Sequence, residues 1–183
     1  MNTIMPPKVV LEGSSLTGAP VEKLVRKIAD LKGLFADNEA FGKVDQSTLA
    51  YEVESYFPVR DGTEGGLFFG ITRIQPGLIG DEFIMTKGHL HSIENRAEFY
   101  WGIEGDGMLL FMDKDRKTWA EKMSPGSIHY ISGSVAHRVA NVGDSVLSFG
   151  ACWPADAGHN YELIAKEGFS KRLMKVNGEP ELV

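Results

Sequence analysis

The chain has 183 residues, of which 43% are hydrophobic and 24% are charged, so it is long enough to bury a core. Its formal net charge of −6 provides no general basic surface, which argues against nucleic-acid binding as the main activity. The single cysteine, Cys152, cannot form an intrachain disulfide and suits a reducing compartment. Neither a secretory signal nor an apolar run of about 18 residues is apparent. We therefore expect one cytoplasmic domain over residues 1–183, with no membrane or nucleic-acid partner.

The N-terminal part predicts an arm followed by a helix. Residues 1–19 contain prolines and glycines without hydrophobic periodicity, which is typical of an arm that lies on the domain or on a neighbouring subunit. From Pro20 to Leu31 apolar residues recur at helical spacing, and Gly33 suits the end of a helix. We therefore predict a helix over residues 20–33, and a further short helical turn near residues 35–41.

From about residue 48 the pattern is that of short strands separated by turn residues. The predicted strands are residues 49–57, 67–74, 82–86, 97–103, 108–112, 118–123, 127–131, 137–141 and 146–153. A short helix is predicted at residues 161–166, and residues 169–183 predict a strand pair that turns at Asn177-Gly178. The fold class is therefore all-β, an antiparallel sandwich or barrel that with its C-terminal extension covers residues 48–178.

Residues 87–91, with the sequence Lys-Gly-His-Leu-His, bring the most metal-competent side chains close together. In a strand, alternate side chains share a face, so His89 and His91 would project the same way. An antiparallel return through residues 97–103 would place Glu98 beside them, with Tyr100 on the same face. The third histidine that such a site needs is His137. Imidazoles and one carboxylate, with open positions, suit iron, manganese, nickel, cobalt or zinc.

These two blocks of sequence resemble the two motifs of the cupin family, whose ligands line one end of a small β-barrel. The matching positions are His89, His91, Glu98 and Gly105 in the first motif and Gly126, His137 and Asn141 in the second. Phe83, Ser132 and Ser134 stand where the cupin motifs usually have turn residues, and the interval before Glu98 is longer than usual. These departures concern turns and leave the ligands in place.

A closer resemblance is to the cupin-type glucose-6-phosphate isomerases, known chiefly from archaea. It covers about residues 20–178 and is carried by five short motifs. They are Thr-Lys-Gly-His-Leu-His at 86–91, Arg-Ala-Glu-Phe-Tyr at 96–100, Ala-His-Arg at 136–138, Pro-Ala-Asp-Ala-Gly-His-Asn-Tyr at 154–161 and Gly-Phe-Ser-Lys at 168–171. The resemblance implies a small antiparallel, jelly-roll-like cupin barrel and the metal ligands His89, His91, Glu98 and His137.

The resemblance also implies an activity, the interconversion of glucose 6-phosphate and fructose 6-phosphate in glycolysis and gluconeogenesis. It implies a homodimer with one divalent ion per subunit, iron first, with manganese, nickel, cobalt or zinc as alternatives. Catalytic roles fall on Glu98, Tyr100 and His159. The substrate-contacting positions are Tyr51, Thr72, Thr86, Gly88, Tyr100, His159 and Tyr161. Trp153 stands where the family often has a tyrosine.

The phosphate of the substrate needs hydroxyl donors and a backbone amide. Thr72, Thr86 and the flexible Gly88 can supply them, and Lys87 adds positive charge if its side chain faces the pocket. In strict strand alternation Lys87 shares a face with the histidines and Thr86 points away, but a bulge at Gly88 would change this. The orientation of these side chains is left open by the sequence.

The reaction itself has two possible routes. In the first, Glu98 moves a proton between C2 and C1 through an enediolate, and a Lewis-acidic metal stabilises the substrate oxygens. In the second, a hydride passes directly between the carbons. Rival functions are a cupin metal-dependent dioxygenase and a non-catalytic module that binds sugar phosphates.

Several polar residues are expected to lie outside this chemistry. His129 has no motif support, so we predict that it is a core or surface histidine. Arg138 is expected to form an ion pair beneath the site, and Asp156 to hold a turn.

Overall fold

The structure is a computed structural model that describes residues 4–183. Its strands are β1 (Val9–Glu12), β2 (Ser15–Gly18), β3 (Glu22–Lys27), β4 (Leu49–Tyr56), β5 (Leu67–Ile74), β6 (Leu78–Ile79), β7 (Glu82–Phe83), β8 (Leu90–His91), β9 (Glu98–Glu104), β10 (Gly107–Met112), β11 (Thr118–Met123), β12 (Ile128–Ile131), β13 (Ala136–Asn141), β14 (Leu147–Pro154), β15 (His159–Asn160), β16 (Leu173–Val176) and β17 (Glu179–Leu182). Two α-helices, α1 (Asn38–Lys43) and α2 (Glu162–Glu167), and a 3-10 turn at Ile28–Leu31 complete the described elements.

Two antiparallel sheets carry the core. The larger has six strands in the order β12-β9-β14-β5-β4-β3, and the smaller has three in the order β11-β10-β13. One hydrophobic cluster contains residues of both sheets, among them Ile74, Leu109 and Leu147, which have no exposed surface. Truncating such a side chain to alanine costs about 2–5 kcal/mol. The core therefore joins the two sheets, and the predicted all-β, cupin-like class is confirmed.

Most predicted strands are confirmed to within one residue at either end. The exception is the stretch 82–86, of which only Glu82–Phe83 forms a strand, while Met85 makes an isolated bridge to Ala140. The helix predicted at 161–166 is α2, and the C-terminal hairpin β16–β17 turns at Asn177 and Gly178, both with positive φ.

The helix predicted over residues 20–33 is wrong. Glu22–Lys27 forms β3 at the edge of the six-stranded sheet, where Leu24 pairs with Val53 and Arg26 pairs with Tyr51. Only Ile28–Leu31 turns helically. Backbone pairing with β4 outweighs the weak helical preference of a few residues, and Leu24 faces the opposite side of the strand from Val25. The predicted turn near residues 35–41 corresponds to α1, which Asp37 caps by accepting a hydrogen bond from the amide of Ala40.

The predicted arm is a hairpin over most of its described length. Strands β1 and β2 pair with each other, and the amide of Leu16 donates a 2.8 Å hydrogen bond to Glu54 on β4. The first three residues of the arm lie outside the described part of the chain. None of the helices in residues 4–183 is long and apolar enough to span a membrane.

Candidate metal centre and the surrounding cavity

The two histidines of the His-Leu-His motif lie on a short segment that pairs with later parts of the chain. His91, in β8, pairs with His159 in β15, and His89 exchanges backbone hydrogen bonds of 3.0 and 3.1 Å with His137. The predicted antiparallel return is wrong, because β9 pairs with β12 and β14 instead. The loop between β8 and β9 instead leads into the six-stranded sheet. Arg96 in this loop anchors it, because its guanidinium binds the Asp156 carboxylate at 2.7–2.9 Å. Asp156 thus has the turn-holding position that was predicted.

The predicted metal-competent residues nevertheless meet. Oε1 of Glu98 lies 2.7 Å from Nε2 of His137 and 2.9 Å from Nε2 of His91. With His89, one potential ligand atom from each residue lies within 4.8 Å of all the others. Glu98 and Tyr100 are buried on the same face of β9, as predicted, and His91, Glu98 and His137 are at most 4% exposed.

Backbone carbonyls face Nδ1 of two of the three histidines. Nδ1 of His91 donates to the carbonyl of Arg96, and Nδ1 of His137 lies 3.4 Å from the carbonyl of Val135. Carbonyl partners for Nδ1 fix the tautomer in which Nε2 carries the lone pair. Nε2 of His89 is buried and has no hydrogen-bond partner. Such an orphaned buried nitrogen is explained if a cation is its partner.

His91 gives a second test of whether this cluster suits a metal ion. An acceptor oxygen faces each of its ring nitrogens, the Arg96 carbonyl at Nδ1 and Glu98 at Nε2. A neutral imidazole has one N–H, so both contacts require either an imidazolium or a cation in place of the second proton. Three imidazoles and one carboxylate are a donor set for borderline divalent ions. The residues present therefore fit such an ion.

Electrostatics within the cluster favour a charged carboxylate next to a neutral nitrogen donor. Burial opposes ionisation of Glu98, but its contacts with His137 and His91 hold its pKa well below the usual range. Burial also acts on His91, but the hydrogen bond and charge of Glu98 outweigh it and raise its pKa. The pKa of His89 is well below its ordinary value, because the ring is buried and faces His137 and His159. His89 is thus neutral at neutral pH and its lone pair is available.

The cluster lies at the wall of a cavity of about 590 Å³. Alternate residues of five neighbouring strands of the six-stranded sheet point into it, as the two-residue period of a strand requires. They are Leu24 and Arg26 of β3, Tyr51, Val53 and Ser55 of β4, Gly70 and Thr72 of β5, Glu98 and Tyr100 of β9, and Phe149, Ala151 and Trp153 of β14. The opposite wall includes residues 86–89, β13, β15 and α2.

All the sequence-predicted substrate and catalytic residues border this cavity. They are Tyr51, Thr72, Thr86, Lys87, Gly88, Glu98, Tyr100, His159 and Tyr161. Gly88 has φ of +77°, so strict alternation is broken there and Thr86 and Lys87 both line the cavity. Oγ1 of Thr86 accepts a 3.1 Å hydrogen bond from the amide of Val139. Both residues therefore border the cavity, as the sequence predicts for Lys87, and the direction of the Lys87 side chain stays a prediction.

Tyr100 and His159 flank the ligands. The hydroxyl of Tyr100 lies 3.4 Å from Nε2 of His137, and burial together with the charge of Glu98 raises its pKa well above the ordinary value. This hydroxyl therefore keeps its proton at neutral pH. The ring centroid of His159 is 4.4 Å from that of His89 and 6.0 Å from that of Tyr161. Burial lowers the pKa of His159, so its ring is neutral at neutral pH.

Two cationic residues of the cavity were missed or misplaced by sequence reasoning. Arg26 falls within residues 20–33, which were wrongly predicted to form a helix. In a strand it shares a face with Leu24, and this alternation would have placed it at the cavity. The predicted ion pair of Arg138 is wrong, because its side chain makes no ion pair within residues 4–183. It donates instead to the carbonyl of Lys87 and to the sulfur of Met85, each at 3.1 Å. Burial and the nearby charge of Arg172 lower the pKa of Arg138 to about 10.

His129 and Gly105 have the structural positions that their sequence context suggested. His129 is buried outside the metal cluster, 2.7 Å from Glu121 and 2.9 Å from Ser127. Gly105 has φ of +77°, and a Cβ there would lie 2.5 Å from the carbonyl oxygen of Val146. Only glycine suits this turn, which explains its place in the first motif.

A mostly β fold with three histidines and one glutamate at the wall of a cavity defines a cupin-like protein with a candidate metal site. The sequence profile of the family described as "Glucose-6-phosphate isomerase (GPI)" matches residues 25–181. The chain belongs to the glucose-6-phosphate isomerase family.

Individual relatives are similar over almost the whole chain. The glucose-6-phosphate isomerase of Thermococcus kodakarensis is 40% identical over 174 residues, which are 94% of this chain and 90% of that protein. The enzyme of Thermococcus onnurineus is 41% identical over 178 residues, 96% of this chain and 92% of that protein. Among solved structures, oxalate decarboxylase from Bacillus subtilis has 20% identity and a TM-score of 0.47, covering 60% of this chain and 26% of that one.

Proposed function

We propose that the protein is a metal-dependent isomerase that interconverts glucose 6-phosphate and fructose 6-phosphate. The observation that carries this proposal is the charge of the cavity. Arg26, Lys87 and Arg138 border it, whereas Glu98 is the one carboxylate among its described lining residues and is engaged by the histidines. A cationic cavity inside a protein of net charge −6 favours an anionic ligand of low molecular weight. A sugar phosphate, the substrate named for the relatives, has this chemistry.

The metal site holds one divalent ion per subunit through His89, His91, Glu98 and His137. When bound, this ion supplies Lewis-acid stabilisation of negative charge on the substrate oxygens. Iron is the proposed native ion, with manganese, nickel, cobalt and zinc as competitors, because imidazole and carboxylate ligands accept all of them. Metal analysis of the protein as isolated, together with activity after chelation and re-addition of each ion, identifies the native ion.

The phosphate is held at residues 86–88. Thr86 and Lys87 border the cavity there, and the amide of Gly88 makes no hydrogen bond within residues 4–183. A free amide, a hydroxyl and an ammonium group together are a recognition set for phosphate oxygens. Further substrate contacts come from the remaining polar side chains of the cavity, Tyr51, Thr72 and Tyr161.

Glu98 acts as the base that carries a proton between C2 and C1. Its contacts to His91 and His137 both use Oε1, which leaves Oε2 for the substrate. The lowered pKa of Glu98 makes it a weak base. Tyr100 and His159, which keep a hydroxyl proton and a neutral ring respectively, move the protons of the substrate hydroxyls. His159 and Tyr161, whose rings stack at 6.0 Å, serve ring opening.

The proton route has a direct rival in a hydride shift between the two carbons. Running the reaction in tritiated water separates them, because a base on the protein exchanges protons with solvent. Tritium in recovered sugar phosphate supports the role of Glu98. Its absence, once shielded internal return has been excluded by partial conversion at several pH values, would remove that role.

The rival functions make different predictions for one assay. A dioxygenase consumes oxygen, whereas the isomerase does not, and the largely apolar lining of this cavity, with its three cationic residues, is compatible with both. Metal-loaded protein is incubated with fructose 6-phosphate, first anaerobically and then in air. Glucose 6-phosphate formed without oxygen is the expected result; consumption of oxygen, or binding without turnover, would each contradict the isomerase.

The working form is proposed to be a cytoplasmic homodimer. Strand β12 is an edge of the six-stranded sheet, and it carries Ile128 and Tyr130, which are 74% and 61% exposed. With Phe99 of β9, whose ring lies 5.5 Å from Tyr130, they form an apolar patch next to an unpaired edge. Light scattering should give twice the chain mass for the protein and a smaller mass for Ile128→Glu.

A further inference from the structure

A second cavity, of about 160 Å³, adjoins the cavity of about 590 Å³ that contains the proposed substrate site and shares Arg138 with it. We refer to the larger one as the catalytic cavity and to the second as the basic side pocket. It lies between α2, the segment that leads into β16, and Arg138 of β13. Its charged lining residues are Glu82, Arg138, Lys166, Glu167, Lys171 and Arg172.

The charges of the basic side pocket do not cancel. Nη1 of Arg172 lies 2.7 Å from Oε1 of Glu82, and Oε2 of Glu167 lies 3.0 Å from Nη1 of Arg116, which is outside the pocket. Both carboxylates are thus already paired. The remaining charged residues, Arg138, Lys166 and Lys171, make no ion pair among residues 4–183. Uncompensated positive charge around a small cavity raises the local concentration of anions.

Arg138 is the buried member of this set. It is 6% exposed, and its Nε, which lies beside Gly88 where the two cavities adjoin, is buried without a hydrogen-bond partner. Its other polar contacts are one carbonyl and one thioether, and the ring of Phe169 lies 4.3 Å from its guanidinium carbon. A buried guanidinium without a carboxylate is costly, since its desolvation is not repaid by an opposite charge. By contrast, Arg73, Arg96 and Arg172 each pair with a carboxylate.

We propose that the basic side pocket is a second binding site, for a small tetrahedral oxyanion of the orthophosphate or sulfate type. The volume suits one such anion with accompanying water, since liquid water takes about 30 Å³ per molecule. Lys166 and Lys171 are exposed residues that border the pocket, and Nζ of Lys171 also donates to the carbonyl of Leu182 at 3.3 Å. Arg138 supplies a buried guanidinium. Because Arg138 also donates to the carbonyl of Lys87, the bound anion contacts a residue that shapes the wall of the catalytic cavity.

The experiment keeps the catalytic cavity full. Metal-loaded protein is saturated with glucitol 6-phosphate, which has no carbonyl to isomerise, and inorganic phosphate is then titrated by calorimetry at constant ionic strength. We expect one further phosphate per chain. Lys166→Gln/Lys171→Gln should weaken its binding at least tenfold. The matched control, Lys122→Gln/Lys175→Gln, removes the same charge from exposed lysines elsewhere and should bind as the parent protein does.

Three outcomes would overturn the proposal. These are no phosphate binding to the glucitol 6-phosphate complex, unchanged affinity in Lys166→Gln/Lys171→Gln, and equal weakening in the control variant, which would indicate only general charge attraction. Metal content and thermal unfolding of each variant verify that it is folded. Binding of glucitol 6-phosphate is measured first, so a failure of the proposed isomerase function appears in that step. A repeat with sulfate distinguishes a general oxyanion site from one selective for phosphate.

Discussion

Oε1 of Glu98 lies 2.7 Å from Nε2 of His137, although 38 residues separate them in the chain. The same oxygen lies 2.9 Å from Nε2 of His91. Oε1 therefore faces the histidines, and Oε2 remains available to take a proton from the substrate. This division of the carboxylate lets one residue serve as both ligand and base.

The first prediction concerns this double role. Glu98→Gln should lower kcat for fructose 6-phosphate at least about 100-fold, the usual scale of general base catalysis. Metal should bind more weakly yet remain detectable, since three imidazoles are left. Coupled assays and metal analysis of the same sample measure both. Glu94→Gln, an exposed loop carboxylate, is the control. A metal-loaded Glu98→Gln protein with a nearly normal rate would show that Glu98 is not the base.

The second prediction concerns metal and stability. Nε2 of His89 has no partner without a cation, so His89→Ala should lose little polar stabilisation in the chelated protein. A bound ion stabilises the fold by about 2.7 kcal/mol at a hundred times its Kd, and the variant should lack most of this gain. Thermal unfolding with chelator and with metal measures it.

The matched control is His129→Ala, because His129 is buried and hydrogen-bonded to Glu121 and Ser127 away from the cluster. Its Tm should fall equally in both conditions. If His89→Ala gained as much stability from metal as the parent protein, His89 would not be a ligand.

The ligand set could be predicted from the sequence because local rules place each of its parts. His89 and His91 are two residues apart, and so are Glu98 and Tyr100 in β9. Residues two apart in an extended segment lie on the same face, so each pair shares a face whatever surrounds it. His137 needed the second motif, since nothing local links it to the others. The error in pairing β8 with β9 did not move the ligands, because the β8–β9 loop returns Glu98 to the same point.

The errors concern features that depend on distant partners. Residues 22–27 have a helical pattern, yet pairing with β4 makes them a strand, and this concealed Arg26 as a cavity residue. The missing ion pair of Arg138 could not be foreseen either, because Glu82, a carboxylate whose charge acts on Arg138, pairs with Arg172 instead. Such competition for partners becomes visible only in the folded chain, where Arg172, Glu82 and Arg138 border the same cavity.

The third prediction tests the phosphate position. Lys87→Ala should raise KM for fructose 6-phosphate about tenfold or more, because a charge-assisted hydrogen bond contributes about 1.5–3 kcal/mol. Metal content should stay the same, since Lys87 is not a ligand. Lys114→Ala, an exposed lysine in a turn, is the charge-matched control. Loss of metal instead of affinity would mean that residues 87–91 do not divide into a phosphate part and a metal part.

Gly88→Ala is a harsher change at the same place. Its φ of +77° disfavours a side chain, and a Cβ would lie 3.0 Å from Nε of Arg138 and 3.1 Å from the carbonyl of His137. Strain of this type costs about 1–3 kcal/mol. We expect lower thermal stability as well as weaker substrate binding, and some loss of metal because the neighbouring carbonyl belongs to a ligand residue. Normal stability would indicate that the turn can rearrange.

The last prediction concerns acid stability on the outer face of the sheet. Nε of Arg73 donates to Glu52 at 2.8 Å, and its Nη2 binds Glu54, which also accepts from the amide of Leu16. Burial opposes ionisation of Glu52, but Lys23 and Arg73 together hold its pKa below the ordinary value, and the Arg73 hydrogen bond lowers that of Glu54. For lowered carboxyl pKa values, the stabilisation is complete above the unfolded-state pKa and is lost as pH falls through the folded-state pKa.

Arg73→Met should therefore destabilise the fold by about 2 kcal/mol at neutral pH, the scale of hydrogen bonds to charged groups. The difference from the parent protein should shrink below about pH 4, where carboxylates in the unfolded chain become protonated. Urea unfolding at a series of pH values measures it, and Arg60→Met, an exposed arginine, should change little at any pH. A difference that stays constant down to low pH would show that Arg73 stabilises the sheet by packing its aliphatic part and not through its two carboxylate partners.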